Sequence, residues 1–116
     1  MSDRQPLSGI KVVELAEGIA GPYAGKLLAD YGAEVVKVEP AQGDRARRLG
    51  PFPDGIDGSS DPEQSALFLH LNTNKRSVID GDGALLDDLV GWTDVVIHSA
   101  PPPSPSPLLS LPPFLF

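Results

Sequence analysis

Two short segments rich in β-branched residues lie on either side of a segment with helical periodicity, and this pattern constrains the fold most. The segments are Ile10–Ala16 and Glu34–Glu39, each with the length and composition of a buried strand. Between them, Pro22 fits the first position of a helix, because its missing N–H has no intrahelical partner there. Large apolar residues at helical spacing predict the buried face of this helix, and a glycine predicts its C-terminal cap: Tyr23, Leu27, Leu28, Tyr31 and Gly32. A strand, a helix and a strand in this span predict a βαβ unit with a parallel pair.

The rest of the first hundred residues continues the alternation of strands and helices. Asp61 and Gln64 have the spacing of a capping box, which predicts a short helix that starts there and runs towards Leu71. The elements predicted after it are a strand, a helix and a strand: Arg76–Asp80, Gly83–Val90 closed by Gly91, and Asp94–His98. This order is typical of an α/β fold with a Rossmann-like parallel sheet and flanking helices.

Composition limits the kinds of function that the chain can have. The net charge of -7 argues against binding to nucleic acid or to an anionic membrane through bulk charge. The absence of cysteine excludes disulfides, thiolate metal sites and cysteine nucleophiles. His70 and His98 are isolated and have no second ligand at a usable spacing, so no metal site is predicted. With neither a signal peptide nor an apolar stretch of about 20 residues, we expect a cytoplasmic protein.

The composition changes abruptly after residue 100. The segment 101–116 holds seven of the chain's 13 prolines, and its other residues are serine, leucine and phenylalanine. Such a run favours extended, polyproline-like conformations over helices or central strands. We therefore predict a ligand-binding domain over residues 1–100, followed by a disordered tail.

The turn after the first predicted strand is the first candidate ligand site. It runs from Glu17 to Pro22 and includes Gly18, Ile19 and Ala20. In parallel α/β sheets, ligands bind beyond the carboxyl ends of the strands, where glycines let the backbone approach and a helix start offers free N–H groups. The alternative is that these glycines only shape a tight turn.

The segment from Leu71 to Ser77 is the second candidate site. Two asparagines, a hydroxyl and two cations within it can together hold phosphate groups and the edge of an adenine: Asn72, Thr73, Asn74, Lys75 and Arg76. The alternative is a polar turn with solvated charges.

Two weaker signals lie at the end of the second predicted strand. Glu39 occupies the place where nicotinamide-binding domains put their ribose-binding carboxylate, but the glycine spacing does not match that fingerprint. A charged cluster follows and could either contact a phosphorylated ligand or belong to a solvated loop: Asp44, Arg45, Arg47 and Arg48.

Four blocks of the sequence closely resemble the family III CoA-transferases (CaiB/BaiF), and their order and spacing agree over roughly residues 7–100. The resemblance is carried by two blocks at the start and two further along: GIKVVEL with AGPYA (9–15 and 20–24), LADYGAEVVKVEP with GD (28–40 and 43–44), LNTNKRS (71–77) and DVVIH (94–98). It implies a Rossmann-like domain that binds the adenosine and phosphate parts of coenzyme A. By motif position, the implied contacts are the turn Gly18–Ala20, Pro40 beside the adenine, and Leu71–Arg76 around the adenine and phosphates.

The same resemblance implies the chemistry of the full-length family. There an aspartate attacks an acyl-CoA thioester and CoA passes between carboxylic acids, which is nucleophilic catalysis by a carboxylate. No residue of this chain matches that aspartate or the acid–base pair of the related α-methylacyl-CoA racemases, so we assign no catalytic residue and expect an inactive N-terminal piece. Full-length members form interlocked homodimers, which we do not expect of so short a piece. A racemase fragment, a non-catalytic CoA-binding or nucleotide-binding module and an NAD-binding fragment stay open as alternatives.

Overall fold

Four parallel strands form the centre of the protein. The computed structural model describes residues 4–53, 61–80 and 83–99. The strands are β1 (Lys11–Leu15), β2 (Glu34–Glu39), β3 (Arg76–Ile79) and β4 (Val95–His98), and the helices are α1 (Ala20–Asp30), α2 (Ala66–Leu71) and α3 (Ala84–Trp92). A single 3-10 turn, Arg45–Arg48, follows β2. The predicted α/β architecture, with a parallel sheet and flanking helices, is thus confirmed, whereas the predicted tail, residues 101–116, lies outside the described residues.

The order of the strands, β3-β2-β1-β4, creates a switch point between β1 and β4. From β1 the chain moves outwards to β2 and β3, and from β3 it crosses back to the other side of β1. Because parallel crossovers are right-handed, α1 and α2 cover one face of the sheet and α3 covers the other. The loops that follow β1 and β4 therefore diverge at the carboxyl ends of the strands. Open α/β sheets bind ligands in the crevice at such a point.

Helix α1 packs on the sheet through small residues. Its buried positions are Pro22, Gly25 and Ala29, and Ala29 joins Val12 and Val35 in the hydrophobic core. The prediction that large apolar residues form the buried face is wrong for three of them. Tyr23, Leu27 and Tyr31 are 48%, 41% and 57% exposed. Both sets of residues have helical spacing, but only the small set lets the helix approach the sheet closely.

The ends of the helices differ from several predictions. Helix α1 begins at Ala20, so Pro22 is its third residue. The missing N–H of proline costs no hydrogen bond there, because the first N–H groups of a helix have no acceptor within it. The predicted glycine cap is confirmed, because Gly32 has a φ of 106° and donates to the Ala29 carbonyl at 3.0 Å. Gly91 lies inside α3 and does not close it.

Helix α2 begins later than the capping-box pattern predicts. Asp61 forms a turn in which its carboxylate accepts the Glu63 N–H at 2.9 Å and its carbonyl accepts the Gln64 N–H at 2.8 Å. The actual N-cap is Ser65, which accepts the Phe68 N–H at 3.2 Å and is fully buried. The prediction is wrong because Asp61 satisfies a local turn, whereas the Ser65 hydroxyl also donates to the Ala46 carbonyl at 2.9 Å and ties the helix to the 3-10 turn.

Gly25 gives a direct test of this close packing. A Cβ at Gly25 would overlap Glu14 Oε1 on the sheet, so we expect Gly25→Ala to lower the free energy of unfolding by about 2 kcal/mol, despite the better helix propensity of alanine. Gly91→Ala is the matched control, since a Cβ there meets nothing within 4 Å and should be neutral or stabilising by up to about 1 kcal/mol. Urea unfolding followed by circular dichroism measures both, and equal stability of the two variants would contradict the packing described.

Candidate functional site

The glycine turn after β1 is tied to the loops that follow both neighbouring strands. Gly18 has a φ of 85°, a backbone conformation that residues with a side chain rarely adopt. Its N–H donates at 3.1 Å to Oδ1 of Asp44, which lies in the loop after β2. The N–H of Glu17 donates to Ser99 Oγ at 3.1 Å, just after β4. The turn therefore occupies the switch point itself and has a defined backbone geometry there.

The start of helix α1 presents free donors at this point. Within the described residues, the backbone N–H groups of Ile19, Ala20 and Gly21 have no hydrogen-bond acceptor, and the Ile19 side chain is 60% exposed. The helix runs for 11 residues, so its dipole adds positive potential at this end. Free amides at the start of a helix favour an anionic group such as a phosphate.

Arg45 places a cation directly against Gly18, the residue before these amides. Its guanidinium covers Gly18 so closely that a Cβ on the glycine would lie 2.6 Å from Arg45 Nη2. The Arg45 N–H is fixed by Glu17 Oε1 at 3.0 Å, while its guanidinium forms no ion pair within the described residues. A cation without an ion-pair partner next to free amides is a candidate site for an anion.

Beneath this site lies a buried ammonium group, that of Lys37, with three acceptors. Lys37 Nζ contacts Glu14 Oε2 and Asp44 Oδ2, each at 2.7 Å, and donates to the Ala16 carbonyl at 2.8 Å. The side chains of all three charged residues are at most 1% exposed. Burying an ammonium without partners is very unfavourable. Lys37 meets this requirement with two hydrogen bonds, to Glu14 Oε2 and the Ala16 carbonyl, and an ion pair with Asp44.

Lys75 extends this buried cluster towards α1 and α2. Its Nζ contacts Glu14 Oε1 at 2.6 Å, Asn72 Oδ1 at 2.7 Å and the Pro22 carbonyl at 2.8 Å. Burial lowers the pKa of Lys75, and its hydrogen bond and attraction to Glu14 oppose that shift. The cluster holds two carboxylates and two ammonium groups, so its net charge is zero.

A second charged pair closes the carboxyl end of β2. Glu39 accepts from Arg47 Nε and Nη2, each at 2.7 Å, from the Asp44 N–H at 2.8 Å and from the Ser77 hydroxyl. Burial would raise the pKa of Glu39, but these hydrogen bonds outweigh it and lower the pKa to about 2. The Arg47 guanidinium also stacks 3.8 Å from the Phe68 ring centre. Both carboxylate oxygens of Glu39 therefore accept hydrogen bonds from protein groups.

A cleft of about 410 Å³ opens beside this pair, at the carboxyl ends of β2 and β3. Its walls come from the ends of the two strands and from the loop after β2: Glu39, Ala41, Gln42, Gly43, Arg47, Pro62, Glu63, Ser77 and Ile79. Pro40, which the resemblance places beside an adenine, is half-buried between two of these residues. Ile79 is 64% exposed and offers the cleft an apolar wall.

The residues predicted to bind CoA do not all lie at the same edge of the sheet. Gly18, Ile19 and Ala20 stand at the carboxyl edge, and Pro40 lies next to the cleft. In the other predicted segment Leu71 is buried at 4% exposure, Asn72 and Lys75 face the buried cluster, and Thr73 Oγ1 donates to the Leu69 carbonyl at 2.7 Å.

The end of that segment points away from the glycine turn. Asn74 has a φ of 70°, and its side-chain amide donates at 3.0 Å to Oδ1 of Asp30, the last residue of α1. Arg76 is 77% exposed and lies 3.5 Å from Glu34 at the amino end of β2. Of the two predicted cations, only Arg76 therefore has a charge at the surface.

Sequence reasoning missed several residues that build the site. Glu14 and Lys37 were not paired, although parallel pairing in register sets Glu14 opposite Lys37, and a charged residue at the same place in each of two valine-rich strands is a usable signal. Arg45 was considered only within a charged cluster, and its approach to Gly18 depends on a tertiary contact. No set of three or more His, Asp or Glu residues that could hold a metal ion occurs in the described part of the chain. No helix within it is long and apolar enough to cross a membrane.

The fold and the site together define an open parallel α/β domain with a glycine turn and the start of a helix at its switch point. A model of CoA-transferase family III matches residues 7–108, and the chain belongs to that family. The succinate–glutarate CoA-transferase of Agrobacterium fabrum is 46% identical over 104 residues, which cover 83% of this chain and 25% of that protein. The succinyl-CoA:glutarate CoA-transferase of Homo sapiens is 35% identical over 108 residues, which cover 88% and 23% of the two chains.

The solved structures agree with this assignment. The crystal structure of a CAIB/BAIF family protein from Brucella suis superposes with a TM-score of 0.69 at 42% sequence identity, over 83% of this chain and 26% of that one. The chain thus spans about a quarter of the length of the relatives that it matches.

The low pKa of Glu39 makes a prediction about stability and pH. Because folding lowers this pKa from 4.5 to about 2, the stabilisation is complete above pH 4.5 and is lost as the pH falls towards 2. We expect Glu39→Gln to remove this pH-dependent contribution, of roughly 3 kcal/mol at most. Urea unfolding at pH 7, 4 and 2.5 should show wild type and variant converging as the pH falls. Glu63→Gln is the control, since Glu63 is 77% exposed, and parallel curves for wild type and Glu39→Gln would refute the assignment.

Proposed function

We propose that this chain binds CoA or acyl-CoA at the carboxyl edge of its sheet, as the CoA-binding part of a family III CoA-transferase. One observation carries the proposal: the free N–H groups of Ile19 and Ala20 directly follow Gly18, over which the Arg45 guanidinium lies. Backbone donors at a helix start together with an arginine fork match the geometry of a phosphate group. Family membership supplies CoA as the phosphorylated ligand.

The adenosine part of CoA fits the neighbouring cleft in this proposal. The cleft lies beside Pro40, and its exposed Ile79 can pack against a flat apolar ring. Its volume of about 410 Å³ is within the ordinary range for small-ligand sites. In the segment Leu71–Arg76, Asn72 and Lys75 support the start of α1, because Lys75 Nζ binds both Asn72 Oδ1 and the Pro22 carbonyl. Arg76 pairs with Glu34 at the amino end of β2 and lies outside this proposed site.

The same contacts weigh against a nicotinamide cofactor. An NAD-binding domain uses the carboxylate at the end of its second strand to bind ribose hydroxyls. Both oxygens of Glu39 already accept hydrogen bonds, from Arg47, Ser77 and the Asp44 amide. A ribose would have to displace a bidentate arginine, which is one of the stronger hydrogen-bonded pairs in proteins.

The described carboxylates at this edge support binding more than chemistry. A nucleophilic carboxylate must be free to attack a thioester, whereas Glu14, Glu39 and Asp44 are each held by a cation at 2.7 Å or less. We therefore propose ligand binding as the role of these residues, with CoA transfer between carboxylic acids as the activity of the full-length family. The same binding part would serve a racemase of the α-methylacyl-CoA type, so that alternative stays open.

Arg45 provides the first test. Isothermal titration of the chain should show binding of CoA and none of NAD, and Arg45→Gln should weaken CoA binding about tenfold, the loss expected for one charge-assisted contact. Arg48→Gln is the matched control, because Arg48 is an exposed neighbour whose guanidinium donates to the Gln42 carbonyl at 3.2 Å. NAD binding without CoA binding would overturn the proposed function, and equal effects of the two variants would overturn the role of Arg45.

Ile79 provides a separate test of the cleft. Ile79→Asp adds a negative charge to the cleft wall, and we expect it to weaken CoA binding about tenfold through repulsion of phosphate and loss of apolar contact. Leu69→Asp makes the same chemical change at a residue that is 52% exposed and lies outside the cleft, so it should leave the affinity within about twofold. If Arg76→Gln weakens binding while Ile79→Asp does not, the adenosine and its phosphates lie on the segment Leu71–Arg76 instead.

A further inference from the structure

Asp44 contacts both halves of the proposed anion site. Its Oδ1 accepts the Gly18 N–H at 3.1 Å and the Ala46 N–H at 2.8 Å. The first contact fixes the glycine turn, and the second caps the 3-10 turn that carries Arg45. With 0% of its surface exposed, Asp44 itself cannot touch a ligand.

The orientation of Asp44 is set from its other side. Asp44 Oδ2 lies 2.7 Å from Lys37 Nζ, and its backbone N–H donates to Glu39 Oε1 at 2.8 Å. Since the ammonium takes Oδ2, only Oδ1 is left to face the two amides. The Asp44 carboxylate is therefore held in one orientation, and its Oδ1 keeps the Gly18 N–H pointing towards the interior of the protein.

The backbone of the turn responds to this inward contact. Once the Gly18 N–H points at Asp44, the following amides of Ile19 and Ala20 are left on the open side. The same buried cluster holds the turn at two more places, because Lys37 binds the Ala16 carbonyl and Lys75 binds the Pro22 carbonyl. Three fixed points within seven residues make the turn rigid before any ligand arrives.

We infer that Asp44 is a positioning residue for phosphate recognition, acting through the Gly18 amide and the Arg45 turn, with Lys37 setting its orientation. The inference rests on the proposed function, since it concerns the same anion site. A rigid, pre-aligned site binds more tightly because less conformational entropy is lost on binding. A merely structural Asp44 would change the stability of the fold and leave the CoA affinity of the folded protein unaltered.

Two double variants of the full chain separate these roles. Asp44→Asn alone would set an N–H donor against either Lys37 or Gly18, so each variant also carries Lys37→Met. The two substitutions together remove one charge of each sign. Lys37→Met/Asp44→Asn keeps an oxygen for the amides of Gly18 and Ala46, whereas Lys37→Met/Asp44→Ala does not. We expect the double variant with asparagine to bind CoA about tenfold more tightly than the double variant with alanine in calorimetric titration. We also expect its Gly18 and Ala46 amides to exchange with deuterium more slowly than those of the alanine variant.

The outcomes distinguish the inference from the function on which it rests. Equal CoA affinity of the two folded double variants would overturn the role of Asp44 and leave CoA binding by wild type intact. Failure of wild type to bind CoA would sink the proposed function. Asp94→Ala, which removes a carboxylate contact to the Lys11 N–H at 2.9 Å on the opposite edge, should leave the affinity within about twofold.

Wild type also tests the inference without any substitution. Because the contact to Asp44 precedes ligand binding, the Gly18 amide should be protected from deuterium exchange in the absence of CoA, at a level comparable with the Val13 amide inside β1. A Gly18 amide that exchanges freely and becomes protected only on addition of CoA would show that the ligand, and not Asp44, organises the turn.

Discussion

The ammonium of Lys37, buried between Glu14 and Asp44, is the constraint on which the rest of this structure depends. A charge in the interior is tolerated only when it is paired and hydrogen-bonded. Lys37 donates to Glu14 Oε2 and to the Ala16 carbonyl, and its third contact is an ion pair with Asp44 Oδ2. Removing one partner of such a pair typically destabilises a protein by about 3–5 kcal/mol, because the other charge is left uncompensated. The strands β1 and β2 and the loop after β2 are therefore held in one arrangement by a single side chain.

This arrangement explains features of the packing that are otherwise unconnected. Helix α1 crosses directly above the Glu14–Lys75 contact, so it places small residues there and turns its large apolar residues outwards. The glycine turn is held at Ala16, Gly18 and Pro22 by groups of the same cluster. A network of buried charges contributes little net stability when compared with apolar packing, but it specifies one geometry, and the proposed phosphate site needs that specificity.

The sequence predicted the elements far better than it predicted their faces. Short valine-rich segments bounded by glycine and proline located β1 and β2 to within one residue at each end, because buried parallel strands carry this composition. The apolar face of α1 was wrong, since Tyr23, Leu27 and Tyr31 have the same helical period as the small residues that actually pack. The start of α2 was wrong, because Asp61 and Ser65 are both good caps and only the contact between Ser65 and the 3-10 turn decides between them.

The candidate site divides in the same way. The amino-acid sequence by itself determined the alternation of strands and helices, the family, and the glycine turn at the end of β1, because these depend on local periodicity and on motifs that are contiguous in the chain. Only the tertiary structure decided that Lys75 turns inwards to Glu14, that Arg45 lies over Gly18, and that Asp44 holds the turn. Those contacts join residues from 26 to 61 positions apart along the chain, and their geometry depends on parallel strand pairing, which brings Glu14 and Lys37 face to face.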